Sequence, residues 1–193
     1  MKRDSTAYRW LGARLLVACG VVLLCGVGCD RVDAQLPSYH KGYQPVQPIN
    51  YSHKLHAGEL GMDCKYCHFG AEKSKHAGIP PVNVCMNCHK LVKPDSPEIK
   101  KIQLAYDSGK SIEWIRIHKL PDFVVFDHSR HVNRGVACQT CHGKVQTMEL
   151  VRQENTLAMG WCVNCHREYK ANPPAHLKDK QLNPTIDCSG CHH

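Results

Sequence analysis

The chain has 193 residues, enough for one domain or two small ones, but its three Phe and three Trp side chains can build only a small apolar core. It holds 13 cysteines and 14 histidines, an enrichment that points to a cofactor- or metal-binding protein. The formal net charge of +8 is not accompanied by the basic stripe and interleaved aromatic residues that nucleic-acid binding requires, so we expect no nucleic-acid partner.

Residues 1–29 predict a signal or membrane-anchor segment. Basic residues are concentrated in residues 1–14, and the apolar run over 15–28 has the length of a signal-peptide core. Counted from residue 10, the stretch is also long enough for an uncleaved membrane helix. Four alternatives remain open: an uncleaved helix, cleavage after Ala34, or acylation at Cys19 or at Cys29. Each exports the rest of the chain, and we expect a domain anchored to the inner membrane on its periplasmic side.

Residues 30–50 have the composition of a linker, with three prolines among polar residues and no apolar periodicity. The main domain, 51–193, follows. Ten of the 13 cysteines lie in it, and the other three (Cys19, Cys25 and Cys29) belong to the N-terminal segment.

The pattern Cys-x-x-Cys-His occurs five times in the main domain, and we number these motifs one to five along the chain. Their cysteine pairs are Cys64 and Cys67, Cys85 and Cys88, Cys138 and Cys141, Cys162 and Cys165, and Cys188 and Cys191; the histidines that follow are His68, His89, His142, His166 and His192. In this motif two thiols bond to the vinyl groups of one porphyrin, and the histidine binds the iron. We therefore predict five covalently bound haem c groups.

Zinc is the main alternative for Cys-x-x-Cys pairs, since two such knuckles share one tetrahedral ion. Five knuckles do not pair, however, and zinc does not require a histidine directly after the second cysteine. A thioredoxin-like redox motif would occur once, within a βαβ pattern that is absent from the sequence. Both alternatives are weaker than haem.

The main domain contains an internal repeat. Tyr51-Ser-His-Lys-Leu-His56 is echoed by Phe126-Asp-His-Ser-Arg-His131, and each stretch is followed by two motifs. The repeat units cover 51–90 and 126–167, and the fifth motif, 188–192, is appended after them. We expect a mainly α-helical and irregular fold in which the haem groups form the core.

One helix is predicted between the two units. Ser96 is a good N-cap, Pro97 suits the first helical position, and Gly109 ends the helix. Short helices are expected to carry motifs near 84–90 and 157–170. No alternation typical of strands is present.

Each iron also has a sixth coordination position, and nine histidines lie outside the motifs. The four in the repeated His-x-x-His stretches are the strongest candidates, because a repeat argues against chance surface histidines: His53, His56, His128 and His131. His118 is the next candidate. His76, Met148 and Met159 are weaker candidates, and for both methionines apolar packing is the simpler explanation. A methionine ligand would raise the potential of its haem.

Aromatic-x-His-x-x-His followed by Cys-x-x-Cys-His resembles the small class III multihaem cytochromes c. Three longer stretches extend the match: Gln47-Pro-Ile-Asn-Tyr-Ser-His53, Glu113-Trp-Ile-Arg-Ile-His118-Lys-Leu-Pro-Asp-Phe123 and Met159-Gly-Trp-Cys162. With these, residues 45–193 are similar to the pentahaem cytochrome subunit of alternative complex III, a bacterial quinol:electron-acceptor oxidoreductase.

The resemblance implies an electron-transfer subunit that is not an enzyme by itself. It implies an iron–sulfur/molybdopterin-like subunit, integral quinol-binding subunits and a monohaem cytochrome as partners, with an N-terminal membrane segment. Electrons would pass from quinol through the haems to a cytochrome or terminal oxidase. Two alternatives are a multihaem reductase, which needs an open iron site with acid–base residues around it, and a soluble periplasmic electron shuttle.

Overall fold

The computed structural model describes residues 40–192, which form short helices joined by irregular segments, with no strand in that range. The elements are a π-helical turn, Lys54–Glu59; α-helices Cys64–Cys67, Val82–His89, Pro97–Ser108, His128–Val132, Cys138–His142 and Met159–Ala171; and 3₁₀ turns Val145–Thr147, Ala175–Leu177 and Cys188–Gly190. The prediction of a mainly α-helical and irregular fold is confirmed. The predicted anchor segment, 1–29, lies outside the described residues. Between residues 40 and 192, no helix combines the length and apolar character needed to span a bilayer.

The helix Pro97–Ser108 has the ends that the sequence predicts. Ser96 precedes it in an extended conformation, and Pro97 occupies the first turn. Gly109 ends it with a φ of 65°, a left-handed conformation that a side chain would disfavour. The Gly109 N–H donates back to the last turn of the helix, which satisfies carbonyl groups there.

The apolar core of the described residues is small. The helix Pro97–Ser108, which we call the joining helix, lies between the two repeat units in sequence. Its residues Ile99 and Ile102 pack against Met86 and Ile49, and Met86 is only 1% exposed. Met86 lies within motif two, so this cluster fixes that motif against the joining helix. That the haem groups form most of the domain's apolar interior stays a prediction.

Residues 40–50, which the sequence assigns to the linker, are hydrogen-bonded to distant parts of the domain. The Gln47 side chain donates to the Ile115 carbonyl and accepts from the Ile115 N–H, each at 2.9 Å. The Gly42 N–H donates to the Gln153 carbonyl at 2.7 Å. These bonds hold the segment over the later part of the chain.

The two repeat units contact each other reciprocally. In the first unit, the Lys54 N–H donates to the Met148 carbonyl at 3.0 Å, and Lys54 forms an ion pair with Glu149. Gly58 in the same helical turn lies directly against the Gln146 carbonyl, where a Cβ atom would collide with it. The His-x-x-His turn of the first unit therefore rests on the loop after motif three.

The second unit makes the equivalent contact with the first. The Ser129 N–H donates to the Ser74 carbonyl at 3.3 Å, and the Asn133 side chain donates to the Glu72 carbonyl at 3.0 Å. Both acceptors belong to the loop after motif one. Because each unit's histidine-bearing turn rests on the other unit's loop, motifs one and three lie side by side.

Candidate haem-binding sites

All ten cysteines of the five motifs are free thiols in the structure. Burial raises the pKa of several of them, and it raises the pKa of Cys141 to about 11. None of these ten thiols forms a disulfide, so all are available for covalent attachment of a porphyrin.

Neighbouring thiols show which motifs lie side by side. Burial, and then the nearby Cys64 thiol, raises the pKa of Cys138, so motif one adjoins motif three. Burial, and then a nearby thiol, also raise the pKa of three further cysteines. These cysteines and their neighbours are Cys67 beside Cys85, Cys141 beside Cys165, and Cys162 beside Cys191. The motifs are thus arranged in space in the order two, one, three, four, five, which differs from their order in the sequence.

Seven histidines direct the ring nitrogen Nδ1 at a backbone carbonyl: His56, His68, His89, His128, His131, His166 and His192. Nδ1 of His68 lies 2.6 Å from the Gly78 carbonyl oxygen, and Nδ1 of His128 lies 2.7 Å from that of Lys75. A carbonyl only accepts, so Nδ1 carries the proton and Nε2 keeps its lone pair. Metal-binding histidines are commonly oriented in this way.

Three predicted distal histidines face a motif histidine at nearly the same distance. The ring centroids are 6.2 Å apart for His56 and His89, 6.0 Å for His131 and His166, and 6.3 Å for His128 and His142. Two metal–nitrogen bonds of about 2 Å each, with the half-widths of the two rings, separate such centroids by roughly 6 Å. Each pair therefore leaves room for one metal ion between its rings.

His53 and His118 are partly buried, and each has one ring nitrogen that is buried without a hydrogen-bond partner: Nδ1 of His53 and Nε2 of His118. Burial, then the charge of His68, lowers the pKa of His53 to about 4, and burial, then His128, lowers that of His118 to about 4. An unpartnered buried polar atom costs about 1–3 kcal/mol, a cost that a bond to a ligand would remove.

His118 does not face His142 in the way that His128 does. The His118 and His142 rings are 4.3 Å apart and nearly perpendicular, too close for an ion between them. Burial, followed by His118 and then His128, lowers the pKa of His142 to about 3. His142 is therefore neutral at physiological pH, which is the form that binds metals.

The weaker candidates lie in different surroundings. His76 is exposed, Met159 is 71% exposed at the start of its helix, and Met148 is buried beside the first unit's helical turn. Against His192 of motif five lies the ring of Phe123, with a centroid distance of 5.8 Å. The distal roles of these residues, like those of the five histidines, remain predictions.

The described residues fit haem c on these observations. The thiols are free, the motif histidines have their binding nitrogens available, and three opposed rings have the spacing of a bis-histidine site. Sequence reasoning missed Gln153 and Asn155, which hold the segments of His118 and motif three together. Neither belongs to a motif or to the repeat, so only their long-range hydrogen bonds reveal them.

Comparisons with known proteins agree with this chemistry. A family model described as cytochrome c7 and related cytochrome c matches residues 124–193, which contain motifs three to five. The menaquinone reductase multihaem cytochrome c subunit of Nitratidesulfovibrio vulgaris is 32% identical over 158 residues, covering 77% of this chain and 69% of that protein. The multihaem cytochrome MtrA of Shewanella baltica is 23% identical over 148 residues, covering 69% of this chain and 35% of MtrA.

Proposed function

Because the chain belongs to the multihaem cytochromes c related to cytochrome c7, which transfer electrons, we propose that it relays electrons through five haem c groups on the periplasmic side of the inner membrane. The observation that supports this most directly is the set of five unaltered Cys-x-x-Cys-His motifs, together with three opposed histidine pairs at 6.0 to 6.3 Å.

When bound, haem supplies the one-electron couple, and its potential depends on axial ligands, burial and nearby charge. The ten motif cysteines would hold the five porphyrins, and the five motif histidines would bind the irons from one side. His56, His128 and His131 would close the opposite side of three sites. At these three sites a histidine on each face would exclude substrate from the iron, which favours electron relay over catalysis there.

The spatial order of the motifs supports a continuous relay. Motifs two and five lie at the ends of the row, and motif three lies in its middle, between motifs one and four. Each motif in the row has a cysteine beside a cysteine of the next, which supports electron transfer along the row within this one chain. We propose that partner subunits exchange electrons with the ends of this row.

The proposed partners are those that the resemblance to alternative complex III implies: an iron–sulfur/molybdopterin-like subunit, integral quinol-binding subunits and a monohaem cytochrome. Residues 1–29 would anchor the subunit beside them. In this function electrons flow from quinol towards a cytochrome or a terminal oxidase.

A second candidate is relay in the opposite direction, towards the quinone pool. The relative that is 32% identical is named as a subunit of a menaquinone reductase. The same five sites serve either direction, because the direction depends on the potentials of the donor and the acceptor.

The test starts from full-length protein extracted from native membranes in detergent. Intact mass should give five haems, and a low-spin ferric spectrum should show irons with two strong ligands. Anaerobic addition of a menaquinol analogue should reduce the haems if the complex oxidises quinol; reoxidation of the reduced complex by a menaquinone analogue would support the second candidate. Colourless or zinc-containing protein would contradict both. Cyanide binding by one haem would favour a reductase, and recovery without detergent would favour a soluble shuttle.

A further inference from the structure

We propose that Gln153 and Asn155 are positioning residues that hold His118 beside the third haem site and thereby tune the potential of that haem. The inference rests on the haem occupancy proposed above. It concerns two side chains outside every motif and outside both copies of the repeat.

Gln153 is the buried polar residue of the described range, with 0% of its surface exposed. Its Oε1 accepts from the Lys119 N–H at 3.3 Å, and its Nε2 donates to the Asn155 carbonyl at 3.0 Å. A buried amide whose donor and acceptor are both satisfied gives a rigid link, since breaking either bond leaves an unpaired group in the interior. Because Lys119 directly follows His118, this link anchors the backbone that carries the His118 ring.

Asn155 continues the link to motif three. Its Nδ2 donates to the Thr140 carbonyl at 3.2 Å and to the Cys141 carbonyl at 3.0 Å. Both carbonyls lie in the last turn of the helix Cys138–His142, where backbone acceptors have no partner within the helix. The side chains of Gln153 and Asn155 therefore join the His118 segment to the helix that ends in His142.

Motif three depends on this link more than the other motifs do. The other four motif histidines are each oriented by a bond from Nδ1 to a carbonyl. For His142 the orienting contacts are the rings of His118, at 4.3 Å, and His128, at 6.3 Å. A small movement of Lys119 would shift the His118 ring and change the polar surroundings of His142. Hydrogen bonding and charge around an axial ligand are recognised determinants of haem potential.

The test compares the full-length variants Gln153→Leu and Asn155→Leu with the matched control Gln103→Leu. Gln103 also makes a side-chain hydrogen bond, to Asp107 at 2.7 Å, but it lies on the joining helix and not in the link. Haem content is measured by intact mass, and individual haems are followed by potentiometric titration with electron paramagnetic resonance. The third haem is identified as the one that His128→Ala converts to high spin.

We expect Gln153→Leu and Asn155→Leu to retain five haems and to shift the potential and the resonance of the third haem alone. The expected change is up to about tenfold in its one-electron equilibrium constant, or about 59 mV. Gln103→Leu should shift none.

The proposal is wrong if both leucine variants leave the third haem unchanged, or if they shift a different haem. If Gln153→Leu fails to fold, Asn155→Leu, at a less buried position, decides the question by the same criteria. Wild-type protein without haem would overturn the proposed function and this inference together. Five wild-type haems with unshifted variants would overturn this inference alone.

Discussion

The opposed rings predict that His56, His128 and His131 serve three different haems. Each lies 6.0 to 6.3 Å from a different motif histidine, the spacing expected for one iron between two rings. Replacing one of them by alanine removes the sixth ligand of one iron and leaves both thioether bonds of that haem intact. Each single variant should therefore retain five haems by mass and convert one of the five from low spin to high spin.

The expected loss of low-spin signal follows from the pairing of each of these histidines with a different motif histidine. A single variant should lose about one fifth of the low-spin signal, and the double variant His128→Ala/His131→Ala should lose about two fifths, because independent sites add. Spin quantitation by electron paramagnetic resonance measures both. His176→Ala is the control: His176 is exposed and directs Nε2 at the Gly135 carbonyl, so the low-spin signal should not change. A double variant that loses no more than one single variant would mean that two of these histidines share an iron, which would refute the assignment from ring geometry.

Three further predictions concern stability and acid. Ile102→Ala should lower the unfolding free energy by about 2–5 kcal/mol because it leaves a cavity beside motif two, whereas Leu104→Ala, 70% exposed, should change it by about 0.5 kcal/mol or less in chemical denaturation. Gly58→Ala should lower the unfolding free energy by about 1–3 kcal/mol, because the added Cβ would collide with a carbonyl of the other unit, whereas the Cβ of Gly160→Ala meets open space. A lower melting temperature for Gly160→Ala but not for Gly58→Ala would contradict the reciprocal packing. Burial lowers the pKa of His142 to about 3, so its neutral, iron-binding form persists as the pH falls through the usual histidine range. The low-spin resonance of the third haem should therefore stay constant from pH 7 to 5, and its conversion to high spin within that range would contradict the prediction.

Local patterns determined a large part of this protein in advance. Haem attachment depends on five contiguous residues, so five motifs predict five sites whatever the rest of the chain does. The joining helix is similarly local, because the extended Ser96, Pro97 in the first turn and the left-handed Gly109 act within a few residues of its ends. The helical and irregular fold class followed from the same evidence and is confirmed.

Only the tertiary structure decided how these local elements meet. The repeat indicated two units, but their reciprocal contact joins residues far apart in sequence and places motif one beside motif three. Periodicity carries no information on such pairings, since hydrogen bonds to backbone carbonyls place no demand on the identity of the accepting residue. Gln153 illustrates the limit: a single glutamine has no distinguishing local pattern, and its importance arises from complete burial and from bonds to segments that the fold brings to it.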